Sequence, residues 1–407
     1  MTFRTPIAED LLIITNTYPF LSNYGGIFVE QQVETIRKNF KEVNVISPLS
    51  YFPSFLLNYN FFRNYSSYKI SPKNYKNCNV NVFFPRFYPI PKTGNDFFNI
   101  RLKRFFFLKA VENVIKKNRL SFDLIHAHFI HPAGYVALEL KNKYKKPLII
   151  TAHGGDLYTL PFKSKLSFKY VDKILNSSDF IITTSQVNYD ILKNKFRVSS
   201  NKIEVMANGF DEKIFYPINQ DIAKYKLNLP KNLKIILSIG NIVEIKGHNY
   251  LISAIDKIKS DCSELLVIII GKGNPNNLKK QIIDLKLDKH VKIINGVPHD
   301  EIPMWINACD LFVLPSLDEG SPTVIPEALA CGKPVIATRV GNVPKIINNE
   351  KLGILVNPKD SQDLAICIEK AICKEWDSHF ISAYAKSKYS NEILSEKILR
   401  IYDQLGA

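Results

Sequence analysis

The sequence predicts an α/β protein built from two doubly wound parallel sheets. Short apolar, β-branched runs alternate with amphipathic stretches along the 407 residues, a pattern typical of parallel strands flanked by helices. A chain of this length exceeds the size at which single hydrophobic cores stop growing, so two domains are expected. Pro217, Pro230 and polar residues cluster within 208–232 and predict that the two halves join there.

The individual strands are predicted from the apolar runs in chain order. The predicted strands are residues 11–15, 43–47, 79–84, 124–127, 148–152, 180–184 and 203–206 in the first half, and 234–239, 265–270, 291–294, 311–314, 334–337 and 353–356 in the second. Glycines follow the first strand of each half, and a helix is expected over 28–39. Ligands bind at the carboxyl ends of strands in such sheets. Two facing halves would therefore leave one central cleft in which motifs from both halves meet.

Composition excludes several classes of protein. Hydrophobic residues make up 46% of the chain, which excludes a mainly disordered protein. The opening apolar run, residues 11–14, is too short for a signal peptide core or a membrane span. The six cysteines show no CxxC spacing, so reduced thiols in a cytoplasmic protein are expected rather than a zinc site.

Positive charge is concentrated in the first half of the chain. Residues 1–212 hold 29 Lys and Arg against 16 Asp and Glu, whereas the rest holds 25 against 22. Residues 51–109 combine ten basic residues and one acid with 18 aromatic residues. This combination suits peripheral contact with an anionic membrane, and Arg101, Lys103 and Arg104 are the candidates for it. Single-stranded nucleic acid and an ordinary solvated basic face are the alternatives.

The sharpest motif places two glutamates eight positions apart, Glu319 and Glu327, after the predicted strand 311–314. Ser321 and Pro322 between them suit a helix N-cap and a first-turn proline, so a helix is expected to begin there. Helix amides stabilise a diphosphate, and an acidic side chain can bind ribose hydroxyls. An ordinary surface loop with two solvated glutamates is the alternative.

The segment 315–335 closely resembles the E-x7-E signature of family 4 glycosyltransferases, which are retaining enzymes of the GT-B fold. The resemblance covers nearly the whole chain, and the Phe-Val-x-x-Gln run at 28–32 is similar to that of members of the teichuronic acid biosynthesis type. It implies that Glu319 contacts the donor sugar near the reacting centre and that Glu327 binds the nucleotide ribose. The donor-binding residues that the resemblance implies between them are Gly320, Ser321, Pro322 and Thr323.

Two further glycine-rich loops resemble the donor side of the same family. Residues 238–248 resemble its phosphate-binding loop, which implies that Lys246 neutralises the donor diphosphate as the leaving group departs. Asn241 stands where many members carry an arginine. Gly271 matches the next loop, close to the nucleotide. The segment 341–345 departs from the usual Gly-Gly-x-Pro-Glu pattern, which leaves its role open.

The first half carries the acceptor-side motifs. The loop with Gly25 and Gly26 resembles the family's opening glycine loop, and paired glycines let backbone approach a ligand closely. Residues 151–156 match the T-x-H-G-x-D pattern, which implies that His153 faces the donor sugar and that Asp156 lies beside the acceptor. The resemblance also places His128 near the acceptor pocket. A core histidine and a simple turn are the structural alternatives for His153 and for the glycines.

Metal and cofactor chemistry are not expected. His126, His128 and His131 share a short segment, but no cysteine or carboxylate cluster near them in the sequence completes a ligand set. Aspartates two positions apart occur nowhere in the chain, so no D-x-D motif is present to hold a metal–diphosphate complex. The sequence therefore predicts a metal-independent enzyme in which Lys246 and helix amides neutralise the leaving group.

Together these features predict a retaining glycosyltransferase of the hexosyltransferase type. It would move a sugar from a nucleotide-diphosphate donor to a glycan or lipid-linked acceptor in cell-surface polysaccharide synthesis. The expected domains are residues 1–212 for the acceptor and 213–388 for the donor, with a helix over about 389–407 packing back on the first. No nucleic acid partner is expected.

Three other functions remain open from the sequence alone. A glycogen-phosphorylase-like enzyme would need a cofactor lysine in a larger chain, and an absorbance scan for pyridoxal would detect it. A GT-B-fold sugar-nucleotide epimerase would release nucleotide without an acceptor. A basic nucleic-acid-binding protein would show salt-dependent binding in a gel shift.

Overall fold

The computed structural model describes residues 8–20, 26–51, 72–87, 96–260 and 264–406. The chain divides into two compact units. The first comprises Met1–Met206 with Ser395–Ala407, and the second comprises Ala207–Leu394. The last residues of the chain therefore belong to the same unit as the first.

The sheet of the first unit is almost entirely parallel. Its strands and two short flanking strands are β1 (Ala8–Thr15), β2 (Phe40–Ile46), β3 (Leu49–Ser50), β4 (Tyr75–Asn77), β5 (Val80–Phe83), β6 (Arg86–Phe87), β7 (Leu124–His128), β8 (Leu148–Ala152), β9 (Phe180–Thr183) and β10 (Ile203–Val205). Within the described residues the main sheet has the order β10-β9-β8-β7-β1-β2-β5-β4, and only β4 runs antiparallel to its neighbour. The chain order reverses direction between β1 and β7, which makes their carboxyl ends the topological switch point.

Helices of the first unit cover this sheet. They are α1 (Ile27–Ile36), α2 (Asp96–Asn118), α3 (Tyr135–Tyr144), α4 (Gly155–Tyr158), α5 (Lys165–Ser177) and α6 (Gln186–Asn194). The central strands are buried on both faces, as β7 and β8 show along their whole length. This burial explains why apolar residues occupy most of their positions, without the alternation of a half-exposed strand.

The sheet of the second unit is fully parallel. Its strands are β11 (Lys234–Ile239), β12 (Leu265–Ile270), β13 (Val291–Ile294), β14 (Leu311–Leu314), β15 (Val335–Thr338) and β16 (Gly353–Val356). The described strands have the order β13-β12-β11-β14-β15-β16, which is the 3-2-1-4-5-6 order of a dinucleotide-binding sheet. The switch point lies between β11 and β14, where Ile236 pairs with Leu311.

Helices pack on both faces of the second sheet. They are α7 (Gln220–Lys226), α8 (His248–Ile258), α9 (Asn276–Asp284), α10 (Ile302–Ala308), α11 (Val324–Ala330), α12 (Val343–Ile346), α13 (Ser361–Cys373) and α14 (Ser378–Tyr389). One apolar cluster contains the side chains of Leu237, Phe312 and Ile325, and a second contains Ile236, Leu311 and Ile336. Successive residues of each strand thus place their side chains in apolar clusters on opposite faces of the sheet, because side-chain direction alternates along a strand.

The final helix, α15 (Asn391–Gln404), brings Tyr402 into the core of the first unit. The Tyr402 hydroxyl lies 2.6 Å from Nδ1 of His126, and the Tyr402 ring packs edge-on against Phe40. Tyr402 is fully buried. A buried aromatic side chain with a hydrogen-bonded hydroxyl therefore anchors the end of the chain on the first sheet.

Helix α2 buries part of the basic and aromatic surface that the sequence predicts to contact a membrane. Arg101, Lys103 and Phe105 are exposed, but Arg104 is only 6% exposed and Phe107 is fully packed. The expectation that Arg104 meets a membrane is therefore wrong, because its side chain lies inside the first unit. The rest of the aromatic stretch falls largely on residues 52–71 and 88–95, which lie outside the described residues. None of the helices in the described part of the chain is long and apolar enough to cross a membrane.

Candidate active site

The switch point of the second sheet brings two predicted catalytic residues together. The loop after β11 carries Lys246 in a short turn, and the loop after β14 carries Glu319. A backbone hydrogen bond from the Leu317 amide to the Ile245 carbonyl, 2.7 Å, joins the two loops. Neighbouring strands thus present a cation and a carboxylate at one edge of the sheet.

Lys246 and Glu319 form an ion pair. Lys246 Nζ lies 2.6 Å from Glu319 Oε1, and the two side chains are 25% and 9% exposed. The hydroxyl of Ser316 donates a second hydrogen bond to the same oxygen, at 2.7 Å. The carboxylate is thus held in one orientation beside the lysine, and the lysine keeps solvent access through which an anion could reach it.

Gly341 holds the backbone of Glu319 in place, although its segment departs from the family pattern. Gly341 has a φ of 50°, and a Cβ built on it would lie 1.7 Å from the Glu319 carbonyl oxygen. The next amide, that of Asn342, donates to the Gly320 carbonyl at 3.1 Å. Only glycine permits this approach, so the segment supports the position of Glu319 through its backbone.

Glu327 has a partner that the sequence did not indicate. Glu327 is 4% exposed within α11, and its Oε1 lies 3.5 Å from Nε2 of His299. Burial opposes protonation of His299, but the hydrogen bond and charge of Glu327 outweigh it and raise the pKa of His299 above 6.5. No motif contains His299; its position after β13, at the carboxyl edge of the sheet, was the only available signal.

The other residues predicted to bind the donor lie on the loops that follow β11, β12 and β14. Helix α11 begins at Val324 with Thr323 as its N-cap residue, and Thr323 makes no side-chain capping bond. The predicted cap at Ser321 and Pro322 is therefore wrong by two residues. The Ser321 carbonyl instead accepts from Nδ2 of Asn208 at 3.1 Å.

Two loop residues differ sharply in exposure. Asn241 is exposed, so the position that often carries arginine faces solvent. Gly271 is buried, and a Cβ built on it would lie 1.9 Å from the Gly240 carbonyl oxygen. Gly271 thus packs the loops after β11 and β12 against each other.

In the first unit, Asn16 links the segment that follows β1 to the segment that follows β7. Its Nδ2 donates to the His131 carbonyl at 2.8 Å, and its Oδ1 accepts from the Ala133 amide at 3.2 Å. Gly26 has a φ of 83° and immediately precedes α1. A Cβ on Gly26 would lie 2.6 Å from the Thr17 carbonyl oxygen, so the loop folds tightly back on β1. Gly25 lies outside the described residues.

Three histidine rings stack at this edge. His126 and His128 have ring centroids 4.6 Å apart, and His128 and His153 lie 5.4 Å apart with near-parallel rings. Nδ1 of His128 is 3.2 Å from Nε2 of His153, so one of these nitrogens donates to the other. Burial lowers the pKa of His126 and of His153 to about 3, and burial also lowers the pKa of His128. The stack is therefore neutral at physiological pH.

Aromatic rings enclose His153 on other sides. The ring centroids of Phe28 and Phe129 each lie 4.6 Å from that of His153. Phe129 adopts a φ of 77°, a strained conformation for a bulky residue. Strain of this kind persists where surrounding contacts determine the backbone, and here it places the ring against His153.

Asp156 is a support for this loop. Its carboxylate accepts from the Ile130 amide at 2.8 Å and from the Gly154 amide at 3.0 Å. Burial raises the pKa of Asp156, while these amides favour its charged form. Asp156 therefore ties the segments after β7 and β8 together, next to His153.

The structure groups the predicted residues into two separate sets, one in each unit. Lys246, Glu319 and Glu327 occupy the edge of the second sheet, whereas His128 and His153 occupy the edge of the first. No group of three or more His, Cys, Asp or Glu side chains among the described residues is arranged to hold a metal ion.

Comparison with protein families identifies both halves of the chain. Residues 68–213 match the family model described as Glycosyltransferase Family 4, and residues 219–388 match the model described as Glycosyl transferases group 1. The teichuronic acid biosynthesis glycosyltransferase TuaC of Bacillus subtilis (strain 168) is 28% identical over 379 residues, which cover 88% of each chain. A D-inositol 3-phosphate glycosyltransferase of Corynebacterium jeikeium is 26% identical over 71% of this chain and 74% of its own length.

Solved structures show the same architecture. The sucrose-phosphate synthase of Thermosynechococcus elongatus superposes with a TM-score of 0.76 at 20% identity, covering 98% of this chain and 99% of that one. HepE of Anabaena, solved in complex with UDP-glucose, gives a TM-score of 0.69 at 20% identity, covering 97% and 99%. The predicted fold is confirmed: the chain belongs to the family 4, group 1 glycosyltransferases and has the GT-B fold of two Rossmann-like domains.

Proposed function

We propose that this glycosyltransferase is a retaining hexosyltransferase that uses a nucleotide-diphosphate sugar, with UDP as the first nucleotide to test. The observation that carries the proposal is the Lys246–Glu319 ion pair at the switch point of the second sheet. In doubly wound sheets this position binds nucleotides. HepE, which shares the fold, was solved with UDP-glucose.

Lys246 supplies the charge that the departing diphosphate requires. As the glycosidic bond lengthens, negative charge grows on the leaving phosphate, and a preorganised cation stabilises that charge. Glu319 holds Lys246 while the site is empty, and the incoming diphosphate replaces the carboxylate as its partner. Glu319, still held by Ser316, then faces the sugar.

Glu327 binds the ribose in this account. Its carboxylate is nearly buried and has His299 beside it, which holds the carboxylate in one orientation. A ribose presents two adjacent hydroxyl groups, and a carboxylate can accept a hydrogen bond from each.

The acceptor side is assigned to the edge of the first sheet. His153 is neutral, enclosed by aromatic rings and held by His128, which suits a hydrogen bond to an uncharged sugar hydroxyl. The Glu319 carboxylate is held on the Lys246 side, where the diphosphate would leave, rather than opposite it, so we propose front-face attack. The departing phosphate oxygen takes the acceptor proton, and the enzyme acts mainly by positioning and charge stabilisation.

The proposed reaction needs no metal ion and no cofactor. Lys246 takes the place that a divalent cation holds in transferases with a D-x-D motif. The acceptor is a glycan or a lipid-linked sugar of a cell-surface polysaccharide, in keeping with the similarity to a teichuronic acid biosynthesis glycosyltransferase. We propose that the protein is cytoplasmic and contacts the inner face of the membrane through Arg101 and Phe105, which are both exposed.

A donor screen with isolated membranes as acceptor tests the function. We expect one nucleotide sugar to release nucleotide in chelator, with release depending on the acceptor membranes. Release without any acceptor would favour an epimerase or hydrolase. No release from any UDP or GDP sugar would overturn the proposal.

A further inference from the structure

Arg104 is a buried cation for which the described part of the chain offers no hydrogen-bond partner to Nε or Nη1. It projects from α2 and is 6% exposed. Its Nε and Nη1 atoms are both shielded from solvent, and the structure gives neither a hydrogen-bond partner. Buried guanidinium groups are normally paired, because each unsatisfied donor loses its bonds to water.

Two tyrosines cover the guanidinium. Its Cζ lies 4.1 Å from the ring centroid of Tyr135, on α3, and 3.9 Å from that of Tyr170, on α5. Aromatic faces stabilise the positive charge but do not accept the in-plane N–H bonds as a carboxylate or phosphate would. The rings therefore fix the plane of the arginine and leave its donors unmatched.

The neighbours of Arg104 add positive charge. Partial desolvation lowers the pKa of Lys103, the adjacent residue. Burial, together with the charges of Lys103 and Arg104, lowers the pKa of His131 to about 3. Nε2 of His131 is buried and also has no hydrogen-bond partner. Glu139 is the nearby acid and acts on Tyr135, and among the described residues it makes no ion pair with Arg104.

This cluster adjoins the acceptor edge of the first sheet. The His131 carbonyl accepts from Asn16, which spans the switch point. Two residues earlier, Phe129 packs against His153. An anion held by Arg104 would therefore lie on the same side of the first unit as the group proposed to bind the acceptor hydroxyl.

We propose that Arg104, with Lys103 and His131, forms a subsite for a phosphate or diphosphate group carried by the acceptor. That the bound group belongs to the acceptor rests on the proposed function. That the site binds an anion rests on the side chains of Arg104, Lys103 and His131 alone. The fork of a guanidinium matches phosphate oxygens in pairs. The two tyrosine rings fix the orientation of the guanidinium, and His131 supplies a neutral hydrogen-bond donor near it. The acceptor class is thus a phosphorylated or diphosphate-linked sugar.

Thermal melting with inorganic pyrophosphate tests the subsite apart from transfer activity. The Lys246→Gln variant removes the donor-side cation, and pyrophosphate should still raise its melting temperature. Adding Arg104→Gln should weaken the apparent pyrophosphate affinity at least about tenfold, since a bidentate charged contact is lost. Adding Lys117→Gln, an exposed charge on the same helix, should leave the affinity unchanged. An equal response in both double variants, or no response in Lys246→Gln, would overturn the subsite.

The Arg104→Met variant separates anion binding from simple packing. If Arg104 binds an anion, Arg104→Met should preserve or raise the melting temperature of the free protein and abolish its response to pyrophosphate. A variant that melts lower yet responds to pyrophosphate as the parent does would show that Arg104 only packs.

Geranyl diphosphate distinguishes an acceptor-borne group from a free anion. An Arg104-dependent response to this ester supports the acceptor assignment. A response to pyrophosphate alone overturns it. These measurements detect binding and not transfer. If the protein transfers sugar but shows no Arg104-dependent response, the subsite is refuted while the proposed function stands.

Discussion

At the scale of single residues, the site depends on charges that hold one another in the absence of substrate. Lys246 and Glu319 are paired, and Ser316 fixes the carboxylate. The E-x7-E motif and the family resemblance singled out Glu319 and Lys246, which both follow strands at the carboxyl edge, and their roles at the donor stay predictions. Ser316 and His299 were missed, since a serine or histidine outside a motif has no distinguishing pattern in the sequence.

Replacing Lys246 should affect the chemical step. For Lys246→Ala we expect kcat/KM to fall by about 10²–10³-fold, the loss typical of removing one group that stabilises transition-state charge. Steady-state kinetics with the active donor measures this, and Lys279→Ala, an exposed lysine on α9, is the matched control. Equal activity in the two variants would remove Lys246 from the mechanism.

His299 should make stability depend on pH. Its folded-state pKa lies above 6.5, so pairing with Glu327 stabilises the fold fully below pH 6.5. That contribution is lost as the pH rises through the folded-state pKa. In urea melts, His299→Asn should therefore destabilise the protein more at pH 5.5 than at pH 9. The same difference in a Glu327→Gln background would show that Glu327 is not the partner.

At the scale of elements, the sequence predicted best the strands that are buried on both faces. Residues 148–152, 234–239 and 265–270 form strands with the predicted bounds, because each consists mostly of apolar residues that the sheet buries. Strand β4 was missed, since Tyr75–Asn77 is an exposed, polar, antiparallel edge strand. The start of α11 was predicted too early because Ser321 resembles a cap locally, while its carbonyl bonds to Asn208.

Gly341 packs tightly against the backbone of Glu319, so its substitution should be costly. Gly341→Ala places a methyl group against the Glu319 carbonyl at a positive φ, and we expect a loss of about 1–3 kcal/mol in the free energy of unfolding. Chemical denaturation measures it. Gly155→Ala is the control, because a Cβ there meets nothing within 4 Å. Equal stability of the two variants would contradict the close approach.

At the scale of the whole molecule, the positive charge of the first half lies partly at the surface and partly in the interior. The first 212 residues carry most of the excess, which the sequence could locate but could not divide between surface and interior. On α2, helical periodicity separates neighbours: Arg101 and Phe105 are exposed, whereas Arg104 is buried between aromatic rings. Side-chain direction therefore decided which basic residues are available to a membrane.

Membrane contact should depend on the exposed face of α2. Arg101→Gln combined with Phe105→Ser should reduce pelleting with anionic vesicles at low salt, at about 1 kcal/mol for each basic residue near the surface. Vesicles of neutral lipid are the control and should bind neither protein. A wild-type protein that ignores anionic vesicles at low salt would refute membrane contact.

Calorimetric titration of the nucleotide diphosphate in excess chelator tests the central claim most directly. We expect UDP or GDP to bind the wild-type protein without metal, and binding to weaken by about 1.5–3 kcal/mol in Glu327→Ala, since a charged hydrogen-bonding group is lost. Lys246→Ala should weaken it as well, because the diphosphate loses its cation. If neither nucleotide binds until magnesium or manganese is added, or if both variants bind as the wild type does, then Lys246 and Glu327 do not form the donor site.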